Sequence, residues 1–181
     1  MTVHSVRKAS SGGITLGLAP NTFSDWSGLM RVMRAAFAQN VGRIDPPSTV
    51  FSSSEQDLQD SAKRESLLLV YRGPSLIGCL FLRSTQDELF LRRFGILPAE
   101  QGAGLARRVL VAAEELARQK GLHRLALETR VELRSNQAKF QALGFQITGG
   151  RAHEGYDRVT TLRMEKDLHS ARQREFRHSR G

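Results

Sequence analysis

Three strand-like runs followed by one long amphipathic helix constrain the fold of this chain most strongly. The runs cover residues 67–71, 76–82 and 89–97, and only short turns separate them. Strands joined by turns this short are antiparallel neighbours. The helix, predicted over 105–120, has apolar residues on one face and Gly121 where a terminating residue belongs. It returns the chain so that a further run, 123–129, can pair in parallel with the third strand.

The remaining elements are weaker signals. Helical spacing predicts a helix over 21–37, capped by Thr22 or Ser24, and Ser52-x-x-Glu55 resembles a capping box for a second helix ending near residue 63. Ser135 or Asn136 is expected to cap a short helix that Gly144 stops. The loop 42–48 contains two consecutive prolines, which exclude a helix there. Further strands are expected at 14–18, 145–148 and 158–166.

This order predicts an α+β fold with a mixed, mostly antiparallel sheet of six or seven strands and helices on both faces. The 181 residues suit one domain, expected over 13–168, with a leader at 1–12 and a basic tail at 169–181. No apolar stretch is long enough to span a membrane, and no signal-peptide pattern opens the chain, so a cytoplasmic location is expected. The lone Cys79 fits a buried residue in a reducing compartment. The five histidines show no metal-ligand spacing, so no metal is expected.

The segment 97–108 carries the main chemical signal. It lies between a strand and the long helix, and its small residues let the backbone approach a ligand closely. The free N–H groups and positive end of the helix dipole make such a segment an anion site suited to a pyrophosphate. No Gly-Lys-Ser/Thr follows, which excludes a nucleotide P-loop. The missing third glycine and the antiparallel strands before it argue against a dinucleotide fold.

Two motifs resemble the GNAT (GCN5-related N-acetyltransferase) superfamily. Gln101-Gly-Ala-Gly104-Leu-Ala106 matches the family's Gln/Arg-x-x-Gly-x-Gly/Ala, and the segment from Asn136 to Leu143-Gly-Phe145 matches its second motif. The resemblance implies a splay between the fourth and fifth strands and acetyl-CoA as co-substrate. The residues that it implies in coenzyme A binding are Phe94, Gly95, Ile96, Gln101, Gly102, Ala103, Gly104, Leu105, Ala106, Asn136 and Phe140.

The resemblance also implies transfer of an acetyl group to a primary amine within a ternary complex, with a backbone N–H near Ile96 stabilising the oxyanion. Glu128 is the first candidate for the general base, and His153 and Glu154 are alternatives. Phe140 occupies the place of a family tyrosine and cannot donate a proton. Another proton source, or a non-catalytic acyl-CoA-binding module, therefore remains an open alternative.

Three less regular segments are expected to form the part of the site that binds the acceptor. The loop 42–48, the turn 129–133 and the hairpin 153–157 resemble those of a bacterial subgroup of the family. We expect Arg43 and Arg130 to bind a carboxylate of the acceptor and Asp45 or Glu132 to bind its amine; the alternative is that these groups pair with one another and brace the loops.

The acceptor is expected to be a small-molecule or peptide amine. Nucleic acid is not expected as a partner, because Phe176 is the only aromatic residue in the basic tail. Dimers are frequent in the family, so a homodimer is an open expectation.

Overall fold

The structure is a computed structural model that describes residues 13–169. Within that range, seven strands and four helices follow in this order: β1 (Ile14–Leu18), α1 (Trp26–Phe37), α2 (Glu55–Ala62), β2 (Ser66–Arg72), β3 (Ser75–Ser84), β4 (Leu89–Ile96), α3 (Leu105–Gln119), β5 (Arg124–Arg130), α4 (Arg134–Ala142), β6 (Gln146–Arg151) and β7 (Thr161–Asp167). The predicted element order is confirmed. The predicted leader, 1–12, and residues 170–181 of the predicted tail lie outside the described residues.

The strands form one mixed sheet in the order β1-β2-β3-β4-β5-β7-β6. The pairs β1–β2, β2–β3, β5–β7 and β6–β7 are antiparallel, and β4 runs parallel to β5. The parallel ladder joins 89–91 to 125–127, although both strands continue beyond these residues. Pairing confined to one end of two strands is what a splay between the fourth and fifth strands requires.

The chain divides into two compact units, and the first comprises residues 13–41, 48–82 and 93–109. Its apolar core joins α1 and α2 to alternate positions of β2 and β3: Leu29, Met30, Met33, Val50, Leu58, Leu67, Leu69, Cys79 and Phe81. The intervening Leu68, Val70, Leu80 and Leu82 are buried as well. Successive side chains of a strand point to opposite faces, so both faces of β2 and β3 are covered.

The first two helices begin later than the sequence predicts. Asp25, rather than Thr22 or Ser24, caps α1, because its carboxylate accepts from the N–H of Gly28 at 2.9 Å. Ser54 and Asp57 form the capping box of α2. The predicted cap, Ser52, donates its hydroxyl to the carbonyl of Thr49 in the preceding 3-10 turn. Ser54 therefore caps the helix instead.

The second unit comprises residues 42–47, 83–92 and 110–169. Strand β5 is buried over Leu125, Ala126 and Leu127, and its register with β7 pairs Leu127 with Met164 and Glu128 with Arg163. Successive side chains of a strand point to opposite faces, so the apolar pair and the charged pair lie on different faces of these strands. Among residues 13–169, no helix is long and apolar enough to cross a membrane.

The starts of α4, β6 and β7 in the second unit differ from the predictions. Leu133 stands at the N-cap of α4, and neither Ser135 nor Asn136 caps it. The strand predicted at 145–148 begins one residue later, because Phe145 is buried in edge-to-face contact with Phe140. The strand predicted from Arg158 begins at Thr161, since Arg158 turns away into ion pairs with two carboxylates.

Candidate functional site

The loop between β4 and α3 is held in place from both sides. A 3-10 turn at Pro98–Glu100 precedes it, and the N–H of Gln101 donates to the carbonyl of Pro98 at 3.2 Å. The side-chain amide of Gln101 donates to the carbonyl of Ile96 at 3.0 Å. The first residue of the sequence motif therefore ties the loop to the end of β4.

Two glycines give the loop its backbone path. Gly102 and Gly104 have φ angles of 91° and 71°, in the left-handed region that other residues enter at a cost. A Cβ atom placed on either would meet nothing within 4 Å, so the glycines are required by conformation rather than by crowding. Residues 101–104 are exposed, which leaves this backbone open to a ligand.

The loop opens directly into α3. Arg108 is the residue whose N–H bonds back to the carbonyl of Gly104, at 3.2 Å. The N–H groups of the first helical turn before it have no intrahelical acceptor and carry the positive end of the helix dipole. The first turn contains no acidic residue, and the exposed Arg107 and Arg108 add positive charge. The arrangement fits a bound pyrophosphate.

The nearby carboxylate of Glu100 is neutralised by an ion pair. Arg72 donates to both of its oxygens, at 2.6 to 3.1 Å. Hydrogen bonds from Arg72 lower the pKa of Glu100 below its ordinary value. Glu100 is thus ionised and paired with a cation, which limits its repulsion of an anion at the loop.

Strand β4 carries a strained residue just before Phe94, Gly95 and Ile96. Arg93 has a φ of 50°, a conformation that costs a non-glycine residue on the order of 1–3 kcal/mol. Its guanidinium compensates by donating to the hydroxyl of Ser61 at 2.8 Å and lying over the ring of Phe81 at 5.4 Å. Gly95 faces α1 closely, since a Cβ there would lie 3.1 Å from that of Ala36.

The second motif forms α4 and the residues after it. Asn136 lies in the first turn of the helix and donates its N–H to the carbonyl of Leu133 at 3.0 Å. Phe140 meets Phe145 in an edge-to-face contact, with ring centroids 5.6 Å apart. Gly144, at a φ of 93°, ends the helix as predicted.

A clasp of four side chains, Asp45, Glu132, Tyr156 and Arg158, joins the loop 42–48 to the β6–β7 connection. The Tyr156 hydroxyl donates to Oδ1 of Asp45 at 2.5 Å, and Arg158 donates to Oδ2 at 3.0 Å. Arg158 also lies 3.5 Å from Oε1 of Glu132. The hydrogen bond to Asp45, followed by burial, raises the pKa of Tyr156. Both oxygens of Asp45 are thus engaged within the protein.

Arg130 meets His153 beside the clasp. Its Nη1 lies 2.8 Å from each ring nitrogen of His153, and Nδ1 lies 2.6 Å from the hydroxyl of the buried Thr160. A guanidinium donates only, so the imidazole must be neutral to accept from it. Burial, and then the neighbouring cations Arg130 and Arg151, lower the pKa of His153 below 6.5. His153 is therefore a neutral imidazole at pH 7.

Glu128 has a different environment. Arg151 donates to both of its oxygens, at 2.9 and 2.6 Å. The hydrogen bond from Arg151 is the main reason that the pKa of Glu128 is lowered. A carboxylate held in this way is a weak proton acceptor.

Two of the predicted site residues stay apart from these contacts. Arg43 is exposed, and within residues 13–169 no hydrogen bond or ion pair connects its side chain to the clasp or to Arg130. Glu154 is exposed in the turn after His153. Sequence reasoning missed Tyr156, Arg158 and Thr160 as partners. Tyr156 lies within the hairpin 153–157 that the sequence singled out, and Arg158 follows it directly.

Comparison with known proteins decides the family. A family model described as the acetyltransferase (GNAT) family matches residues 31–145, a range that contains both sequence motifs.

The chain belongs to the GNAT acetyltransferase family.

This GNAT protein has a curated relative, the IAA acetyltransferase of Azospirillum brasilense. The two are 32% identical over 115 residues, which cover 62% of this chain and 74% of the relative. Family membership and this relative identify the chain as an N-acetyltransferase that uses acyl-CoA.

Solved GNAT structures share the fold at low sequence identity. The PaiA N-acetyltransferase of Thermoplasma acidophilum, in complex with coenzyme A, superposes with a TM-score of 0.70 at 18% identity, over 84% of this chain and 98% of that one. The ribosomal-protein-S18-alanine N-acetyltransferase of Escherichia coli gives 0.67 at 18% identity, over 86% and 94%. Likeness at this level supports the predicted fold and leaves the acceptor open.

Proposed function

We propose that this GNAT protein transfers an acetyl group from acetyl-CoA to a primary amine in a ternary complex. The observation that carries the proposal is the glycine loop at the start of α3, where Gly102 and Gly104 adopt positive φ angles and the helix N–H groups lack intrahelical acceptors. The N–H groups of Gly102 through Ala106 bind the pyrophosphate of the coenzyme. Gln101 acts chiefly by bracing the loop, since its own N–H is taken by Pro98.

Strand β4 and helix α4 supply the other proposed contacts to the coenzyme. The backbone of Phe94, Gly95 and Ile96 bonds to the amides of the pantetheine arm, and an N–H near Ile96 stabilises the oxyanion. Asn136 contacts the arm, and Phe140 packs beside Phe145 without donating a proton. Acetyl-CoA supplies the activated thioester.

His153 is the proposed general base. The amine nitrogen forms a bond to the acetyl carbon, the carbon–sulfur bond breaks, and the proton leaving nitrogen passes to the imidazole. The neutral state of His153 at pH 7 supports this role, in which the amine takes the place of Arg130 at the accepting ring nitrogen. Glu128 is less suited, because hydrogen bonds from Arg151 to both of its oxygens lower its pKa. The departing thiolate takes a proton from solvent.

Thiol release with a panel of primary amines tests the proposal. Initial velocities with both substrates varied should give intersecting lines, as a ternary complex requires; parallel lines would contradict direct transfer. His153→Asn should lower kcat by roughly 10²- to 10⁴-fold, the range of a lost general base. The control is Glu154→Gln, which changes the neighbouring exposed side chain and should leave kcat unchanged.

The alternative is an acyl-CoA-binding module without turnover, and Phe140 in the place of a tyrosine is the observation that favours it. Saturable binding of acetyl-CoA together with no thiol release for any amine would select this alternative. The homodimer and the cytoplasmic location stay predictions.

A further inference from the structure

Arg130 differs from the other basic residues on strands β5, β6 and β7. Each of the others has a carboxylate oxygen within 4.0 Å: Arg124, Arg151, Arg163 and Lys166. Within residues 13–169, Arg130 has no such carboxylate, and the neutral His153 is the side-chain partner of its Nη1. A guanidinium has five N–H donors. The edge formed by Nε and Nη2 is therefore left to bind a planar anion through two hydrogen bonds.

Glu132, two residues after Arg130, has a carboxylate oxygen that lacks a hydrogen-bond donor. Its Oε1 lies 3.5 Å from Arg158, whereas its Oε2 is buried and has no hydrogen-bond partner among the described residues. Buried polar atoms nearly always have a partner, and one without a partner calls for an explanation. A bound ammonium group would supply the missing donor.

The local backbone fixes both residues in position. Gln137 donates its side-chain amide to the carbonyls of Arg130 and Val131, at 3.0 and 3.1 Å. Arg158 connects Glu132 to Asp45. Arg130, which has no carboxylate oxygen within 4.0 Å among the described residues, and the unsatisfied oxygen of Glu132 are thus held on one braced turn before a ligand binds, which reduces the entropic cost of binding.

We infer that the acceptor is a zwitterionic amine, of which a free α-amino acid is the simplest case. Arg130 binds its carboxylate and Glu132 binds its amino group. The inference rests on the proposed function and narrows its substrate class. Of the residues expected to bind the acceptor, it retains Arg130 and Glu132 and assigns Asp45 to the clasp.

The test compares acceptors that differ only in the carboxylate. The full-length protein is assayed by thiol release with acetyl-CoA and the twenty amino acids, each beside its α-amide. The acceptor with the highest kcat/KM should be a free amino acid. Its α-amide should have a kcat/KM lower by roughly 10- to 100-fold, which corresponds to the loss of one charge-assisted hydrogen bond. Binding of acetyl-CoA is measured in parallel by calorimetric titration.

Three variants localise the effect. Arg130→Gln should raise the KM of the preferred amino acid by a similar factor, with little change in the KM of acetyl-CoA, and should abolish the preference over the amide. Glu132→Gln should raise the acceptor KM for both compounds. Arg124→Gln is the matched control, because it removes an arginine from the other end of β5 and should leave the preference intact.

The outcomes separate the two proposals. Amides or carboxylate-free amines acetylated as well as amino acids would overturn the inference and leave the proposed function standing. A preference for amino acids that survives Arg130→Gln would overturn the assignment of Arg130. If the unaltered protein neither binds acetyl-CoA nor releases thiol with any acceptor, the proposed function and the inference are both overturned.

Discussion

Substituting alanine for glycine at the two ends of α3 separates backbone strain from ligand binding. Gly104 and Gly121 have almost the same φ angle, 71° and 72°, and a Cβ at either position meets nothing within 4 Å. Gly104→Ala and Gly121→Ala therefore impose the same conformational penalty. Only Gly104 belongs to the proposed pyrophosphate loop.

The penalty follows from the left-handed conformation. An L-residue there costs about 1–2 kcal/mol relative to its preferred regions. For a domain of this size, about 1 kcal/mol lowers Tm by roughly 2–4 °C. Each variant should thus melt about 2–8 °C below the parent protein, by differential scanning calorimetry, and the two shifts should be similar.

Coenzyme A affinity should distinguish the variants. Relief of strain at residue 104 turns the neighbouring N–H groups away from the phosphate oxygens. A hydrogen bond to a charged group contributes about 1.5–3 kcal/mol, so the Kd for acetyl-CoA should rise roughly 10- to 100-fold in Gly104→Ala. Gly121→Ala should keep the Kd of the parent. Equal losses of affinity in both variants, or no loss in Gly104→Ala, would refute the loop assignment.

Three further predictions concern individual side chains. Arg130→Gln removes a cation that lowers the pKa of His153, so the acid limb of the kcat/KM profile and the imidazole titration followed by NMR should both move to higher pH. The control Arg124→Gln should leave both unchanged. An unchanged acid limb in Arg130→Gln would contradict the assignment of His153 as the base. Glu128→Gln should leave kcat nearly unchanged in steady-state assays, and a loss as large as that expected for His153→Asn would transfer the role of base to Glu128. Cys79 is fully buried and its pKa is raised to about 12, so mass spectrometry should find it unalkylated by iodoacetamide in the native protein and alkylated after denaturation; rapid native labelling would contradict this burial.

The order of elements was predictable because it depends on periodicity and turn residues, which are local properties of the sequence. The long helix and the glycines at its ends are examples. The caps were not predicted correctly, because several polar residues near each helix start compete for the role. The Ser52 hydroxyl is taken by Thr49, and only the folded turn shows that Ser54 remains for α2.

The glycine loop between β4 and α3 was predictable for the same reason, since Gly102 and Gly104 act through their own backbone angles. The clasp was not predictable, because Asp45 and Tyr156 are 111 positions apart in the sequence. Pairing of this kind depends on side-chain geometry that no local pattern encodes. The same dependence applies to Glu128, which was the first candidate for the general base because of its position on a strand. In the structure, Arg151 donates hydrogen bonds to both of its carboxylate oxygens.

Backbone amide NMR of the full-length protein during titration with acetyl-CoA tests the central claim most directly. The amide resonances of Gly102, Ala103, Gly104, Leu105 and Ala106 should show the largest shifts, because the proposed site has these groups donating hydrogen bonds to phosphate oxygens. Saturation of those shifts at a single Kd would support the assigned site. Unshifted loop amides, with binding detected elsewhere or not at all, would contradict it.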